Sequence, residues 1–130
     1  MRARCCYTAL VQTRVELTYR FEAAHQLPKV PPGHPCGTMH GHSYVVGIAL
    51  VGTVDPDLGW IEDFGTISTR VQPVIDLLDH KTLNTVDGLS NPTSELLARW
   101  LWERIGAVVT GLVEVSVRET VHSRCVYTGA

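Results

Sequence analysis

The sequence predicts an α+β domain, an antiparallel four-stranded sheet with two helices on one face, in the order strand, strand, helix, helix, strand, strand. Three observations predict it. Alternating apolar residues occur in four short runs, grouped in pairs near the two ends of the chain. Two apolar stripes at helical spacing lie between those pairs. The chain has 130 residues, 45% of them hydrophobic, enough for a single domain with a core of its own.

The first strand covers residues 13–22, with Val15, Leu17, Tyr19 and Phe21 on one face and Glu16, Thr18, Arg20 and Glu22 on the other. Residues 1–12 show no period and are expected to form an N-terminal tail, leaving 13–130 as one domain. Residues 26–37 hold four prolines and two glycines and read as a loop. The second strand, residues 43–52, carries Tyr44, Val46, Ile48 and Leu50 on one parity. Asp55-Pro56-Asp57 and Gly59 mark a turn. Asp63 can cap a helix whose stripe is Phe64, Ile67, Val71, Val74, Ile75 and Leu78, and Pro73 is expected to kink or split it. Residues 79–89 read as a loop. Asn91 or Thr93 caps a second helix, with Pro92 near its first turn and Leu96, Leu97, Trp100, Leu101 and Ile105 as its stripe. Residues 112–120 and 124–127 are the last two strands.

Composition narrows the function classes. The net charge is −2, from 11 Lys and Arg against 13 Asp and Glu, without a basic cluster. That disfavours a nucleic-acid partner. No apolar run approaches the ~20 residues of a membrane span, so no membrane partner is expected. Four cysteines, two of them adjacent (Cys5 and Cys6), do not make a disulfide scaffold. No secretory leader is recognisable, and a cytoplasmic location is expected.

The densest chemistry is Cys36-Gly-Thr-Met-His40-Gly-His42. His40 and His42 share the apolar parity of the strand that follows, and His25 shares the apolar parity of the first strand. Three imidazoles can therefore converge where two neighbouring strands end. Three neutral imidazoles with an open fourth position suit a catalytic zinc ion. Cys36 is either a fourth ligand, which would close the site, or a free thiol beside it. Glu119 continues the buried parity of Val113, Val115 and Val117. It is either solvated past the strand end or aimed at a ligand with paired N–H donors. Asp79-His80 is either a cap with a surface residue, or a pair in which the aspartate orients a proton-transferring histidine. His34 and His122 read as loop residues.

These stretches, with Phe21-Glu-Ala-Ala-His25, Gly59-Trp-Ile-Glu-Asp63-Phe64, Leu78-Asp79-His80, Leu83-Asn84, Asn91-Pro-Thr-Ser-Glu95 and Glu119-Thr120, resemble the 6-pyruvoyl-tetrahydropterin synthase superfamily. Within it the chain is most similar to the bacterial carboxy branch of queuosine biosynthesis. The resemblance implies the T-fold (tunnelling fold), whose sheets join across subunits into a barrel, as a trimer or paired trimers (hexamer). It implies Zn2+ on His25, His40 and His42, and Cys36 as a catalytic thiol outside the ligand set. It implies His80 with Asp79 as the proton relay, Glu119 as pterin anchor and catalytic residue, and Thr93 and Ser94 along the pterin pocket. The implied reaction is a carbon–carbon lyase reaction. It converts 7,8-dihydroneopterin triphosphate to 6-carboxy-5,6,7,8-tetrahydropterin, acetaldehyde and triphosphate. The pyruvoyl branch, which only eliminates triphosphate, has a longer spacer than the three residues Gly37 to Met39. A zinc- and pterin-binding module without turnover is the alternative from another class.

Overall fold

The computed structural model describes residues 10–130. Residues 1–9, including Cys5 and Cys6 and most of the expected tail, lie outside the described residues. Two fourteen-residue strands, β1 (Gln12–His25) and β2 (His40–Thr53), form the central ladder. They run antiparallel in unbroken register, from Gln12 opposite Thr53 to His25 opposite His40. Both are longer than their alternation suggests, because each runs on through its histidines.

The rest of the chain is α1 (Phe64–Asp76), β3 (Lys81–Thr82), α2 (Ser94–Gly106), β4 (Leu112–Arg118) and β5 (Cys125–Tyr127). The described sheet has five strands in the order β3-β1-β2-β4-β5, with β3 parallel to β1. The expected four-stranded antiparallel sheet is thus corrected to a five-stranded mixed one. The element missed, β3, has two residues, too few to show a period. What places it is backbone bonding at its start, where the His80 N–H donates to the Glu22 carbonyl at 2.6 Å.

Asp63 caps α1 as expected, accepting from the Thr66 N–H at 2.9 Å. Ile67, Val71, Val74 and Ile75 are its buried stripe, while Phe64 stays exposed. Pro73 does not split the helix. It lies on the exposed face in the last turn, where the carbonyl it leaves unpaired can face solvent. Thr93, not Asn91, caps α2, accepting from the Leu96 N–H at 3.2 Å, and Pro92 precedes the cap. Leu96 is exposed, and the buried face is Leu97, Ala98, Trp100, Leu101 and Ile105.

One core joins these faces to the inward parity of β1 (Tyr19, Phe21, Ala23), β2 (Tyr44, Val46, Ile48, Leu50) and β4 (Val115, Val117). Burial of each large side chain contributes about 1.5–3 kcal/mol. The Phe21 and Tyr44 rings stack at 4.7 Å and 7°, directly beneath the end of the sheet that carries the histidines. Among the described residues no helix is long and apolar enough to cross a membrane.

The β2–β4 ladder shifts register between Ala49 and Leu50, leaving Val113 as the extra residue of a bulge. Gly111, at φ +81°, brings its carbonyl to the Val51 N–H at 2.9 Å, and a Cβ there would overlap the Val51 carbonyl. Gly59 has nearly the same φ, +79°, but open space around it. Gly111→Ala is expected to destabilise by about 2–4 kcal/mol, from left-handed strain plus the clash. Gly59→Ala should cost only about 1–2 kcal/mol. Urea denaturation of both variants checks this, and equal losses would contradict the clash.

Candidate metal centre and active site

The β1–β2 register decides the site. It sets His25 opposite His40 and Ala23 opposite His42, so all three imidazoles leave the same face at the open end of the ladder. Their ligand nitrogens lie within 4.8 Å of one another. His25 is buried, and His40 and His42 are half-buried. The rings meet edge to face, with centroids 4.6–5.1 Å apart, as rings do when their nitrogens converge on a point rather than stack.

Backbone carbonyls fix two of the tautomers. His25 Nδ1 is 2.9 Å from the Pro92 carbonyl, and His40 Nδ1 is 2.6 Å from the Thr38 carbonyl. A carbonyl can only accept, so each Nδ1 carries the proton and each Nε2 presents a lone pair. Those two Nε2 atoms face each other at 3.0 Å. Two lone pairs at that distance repel unless a cation lies between them. Two nitrogens bound 2.0–2.1 Å from one tetrahedral ion would sit about 3.3 Å apart. The donor set therefore fits a metal ion, with the carbonyls in the orienting role that metal-bound histidines commonly need.

The floor of the site is Tyr44, whose hydroxyl is 3.2 Å from His25 Nδ1. Burial, with a smaller contribution from the Glu119 charge, pushes the Tyr44 phenol far above its ordinary pKa. It stays protonated and cannot compete as a phenolate ligand. Burial also holds His42 below the ordinary imidazole value, assisted by His25 and His40 and opposed by Glu119.

Glu119 follows the last residue of β4. The strand ends at Arg118, yet the side chain is not released to solvent: Glu119 Oε2 lies 3.8 Å from His42 Nε2. A carboxylate thus stands at the rim of the histidine cluster. Asp79 and His80 form a second pair. Asp79 Oδ1 is 3.0 Å from His80 Nδ1 and accepts from the Glu22 N–H at 3.0 Å. The Glu22 bond first, then His80, hold the Asp79 carboxyl below the usual range. The pair is thereby hung on β1, and His80 adopts φ +57° there. A cavity of about 490 Å³ is lined by His42, Ser43, His80, Lys81 and neighbouring residues of β1. It is a shallow surface depression that His42 and His80 both border.

Cys36 lies half-buried in the 3-10 turn Pro35–Gly37 and is not among the clustered ligand groups. The Thr93 hydroxyl is engaged in capping α2, and Ser94 begins that helix. Sequence reasoning missed the orienting groups. The Pro92 and Thr38 carbonyls carry no side-chain signature. Asn84 does: its side chain accepts from the Gln26 N–H at 3.0 Å and donates to the Gln26 carbonyl at 2.8 Å, clamping the residue after His25.

The profile described as 6-pyruvoyl tetrahydropterin synthase matches residues 14–130. The chain belongs to the 6-pyruvoyl tetrahydropterin synthase family. It is 36% identical over 115 residues to the 6-carboxy-5,6,7,8-tetrahydropterin synthase of Synechocystis, covering 84% of this chain and 88% of the relative. It is 34% identical over 114 residues to the enzyme of the same name from Bacillus subtilis, covering 81% and 77%. The structure of Caenorhabditis elegans 6-pyruvoyl tetrahydropterin synthase superposes with a TM-score of 0.85 at 27% identity, covering 93% of this chain and 98% of that one. Members of this family thus carry names from both branches of the chemistry.

Metal binding needs neutral imidazoles, so it should fall with acid. Because burial lowers the His42 pKa in the fold, the neutral form is favoured above the unfolded value, ~6.5. That contribution is lost as pH falls through the lower folded value. The purified protein is expected to hold one metal ion per subunit at pH 7.5, to lose it progressively with acid below the ordinary imidazole value of ~6.5, and to lose it at all pH values in His40→Ala. Elemental analysis across pH checks this; full retention in the variant would contradict the assignment.

Proposed function

We propose that the protein is a zinc-dependent lyase converting 7,8-dihydroneopterin triphosphate and one water to 6-carboxy-5,6,7,8-tetrahydropterin, acetaldehyde and triphosphate, in queuosine biosynthesis. The observation that carries the reading is the convergence of His25, His40 and His42, with the Glu119 carboxylate at their rim. The names of the Synechocystis and Bacillus relatives support the carboxy branch. So does the three-residue spacer between Cys36 and His40.

Zn2+ on the three imidazoles would supply a Lewis acid that makes hydroxyl protons of a bound side chain more acidic. The remaining work falls to the chain. The Cys36 thiolate removes a proton from the substrate side chain. His80, oriented through Nδ1 by Asp79, moves a second proton at Nε2. Glu119 accepts from the amino and ring N–H groups of the pterin, a bidentate match for a carboxylate. Thr93 and Ser94, at the start of α2, lie along the pterin pocket. His25 and His40 present Nε2 lone pairs because the Pro92 and Thr38 carbonyls hold their Nδ1 protons.

The sheet gives a reason to assemble. Among the described residues its edge strands, β3 and β5, are two and three residues long and cover β1 and β4 over only that length. Leu58, Trp60 and Phe64 are exposed within one short stretch. A homo-oligomer built from trimers, closing a barrel across subunits, would pair those edges. Light scattering at micromolar concentration should give a trimer or hexamer, and a monomer would contradict closure.

Incubation with dihydroneopterin triphosphate is expected to release acetaldehyde in equal amount with the 6-carboxy pterin. Cys36→Ala should keep its metal and lose about 10²–10⁴-fold of the turnover. An aldehyde assay with mass analysis of the pterin checks both. A product retaining three side-chain carbons would move the chain to the pyruvoyl branch, and no turnover of any kind would leave a binding module.

A further inference from the structure

His34 takes no part in the metal cluster, yet it touches the segment that carries the thiol. Its Nδ1 accepts the backbone N–H of Cys36 at 3.1 Å. An accepting Nδ1 carries no proton, so His34 is the Nε2–H tautomer, the reverse of His25 and His40. The other backbone group of Cys36 is also held: its carbonyl accepts from the Leu27 N–H at 2.8 Å. Gly37 N–H donates to the His34 carbonyl at 3.0 Å and Thr38 N–H to the Pro35 carbonyl at 3.2 Å. Thr38 in turn orients His40 through its own carbonyl. One clamped segment therefore runs from His34 through Cys36 to a ligand histidine. It is the His34 side chain that fixes its first turn, in a stretch where prolines remove several backbone donors.

We propose that His34 is a positioning residue for the Cys36 thiol. By binding the Cys36 N–H, its imidazole sets the direction in which the Cα–Cβ bond leaves the turn. Backbone amide and carbonyl together orient that bond, and both are tied. Releasing the amide lets the peptide plane before Cys36 rotate and swings Sγ by about 1 Å, a displacement that can lower a positioned reaction about 10²-fold. The function required of residue 34 is a side-chain acceptor three bonds from Cα. Asparagine supplies one, since Asn Oδ1 commonly accepts the N–H two residues on. Alanine supplies none.

The inference rests on Cys36 being the reacting thiol, so its test has an arm that does not depend on turnover. His34→Ala, His34→Asn and Cys36→Ala are compared for kcat, KM, metal content and oligomeric state. Iodoacetamide labelling of Cys36, mapped by mass spectrometry, reads the thiol directly. In His34→Ala, kcat should fall on the order of 10–10²-fold with KM within about twofold and metal retained. The Cys36 labelling rate should shift by at least about threefold, and His34→Asn should recover both readouts to within about threefold of wild type. An unchanged labelling rate in His34→Ala overturns the proposal whether or not Cys36 proves catalytic. An Asn variant as impaired as the Ala variant also overturns it, because the imidazole would then act as more than an acceptor. Full activity in Cys36→Ala overturns the mechanism and leaves the labelling comparison to judge His34.

Discussion

The site depends on the register between β1 and β2. That ladder is fourteen residues long, and its last rung is His25 opposite His40. A slip of one residue would turn one strand's whole inward set to the other face. It would expose Phe21 if β1 slips or Tyr44 if β2 slips, and separate the histidines at the same stroke. The apolar alternation along the ladder and the geometry of the cluster are therefore one constraint. The core that holds the register is the price of the site.

What the register cannot do is aim a ring. An imidazole at a strand end has freedom about both χ angles, and the structure removes it with groups from outside the ladder. The segment before α2 contributes the Pro92 carbonyl, and the turn before β2 contributes the Thr38 carbonyl. Asn84 closes the chain just past His25. The cap of α2 therefore matters beyond the helix, since Thr93 fixes the chain direction next to Pro92. The resulting arrangement opposes lone pairs at 3.0 Å and is relieved by a cation. A metal ion held there would in that sense be coupled to the stability of this end of the sheet.

Much of this was legible in the sequence, for physical reasons that also mark the limits. The inward parity of Tyr19, Phe21, Tyr44 and Val46 gave the faces of both central strands, and parity carried the three histidines with them. Asp63 announced its helix because a capping carboxylate is a local signal. Strand β3 was invisible, since two residues define no period and its partner is supplied by the fold. Pro73 misled because a proline's effect depends on where the helix ends and which side faces solvent. Glu119 was read as either solvated or aimed at a ligand. The strand stops one residue short, and the carboxylate lies beside His42 at the rim of the cluster. The residues that aim the rings were the least legible, since two of them act through carbonyls that any residue possesses.

The central claim is an open metal site of three imidazoles with the thiol held outside it. Zinc X-ray absorption of the purified protein tests this most directly. The account predicts three imidazole nitrogens, with any further ligand a light oxygen or nitrogen atom, all at about 2.0–2.1 Å. A sulfur scatterer at about 2.3 Å would contradict it. Cys36 would then be a ligand, the site would be closed, and the mechanism built on a free thiol would fail.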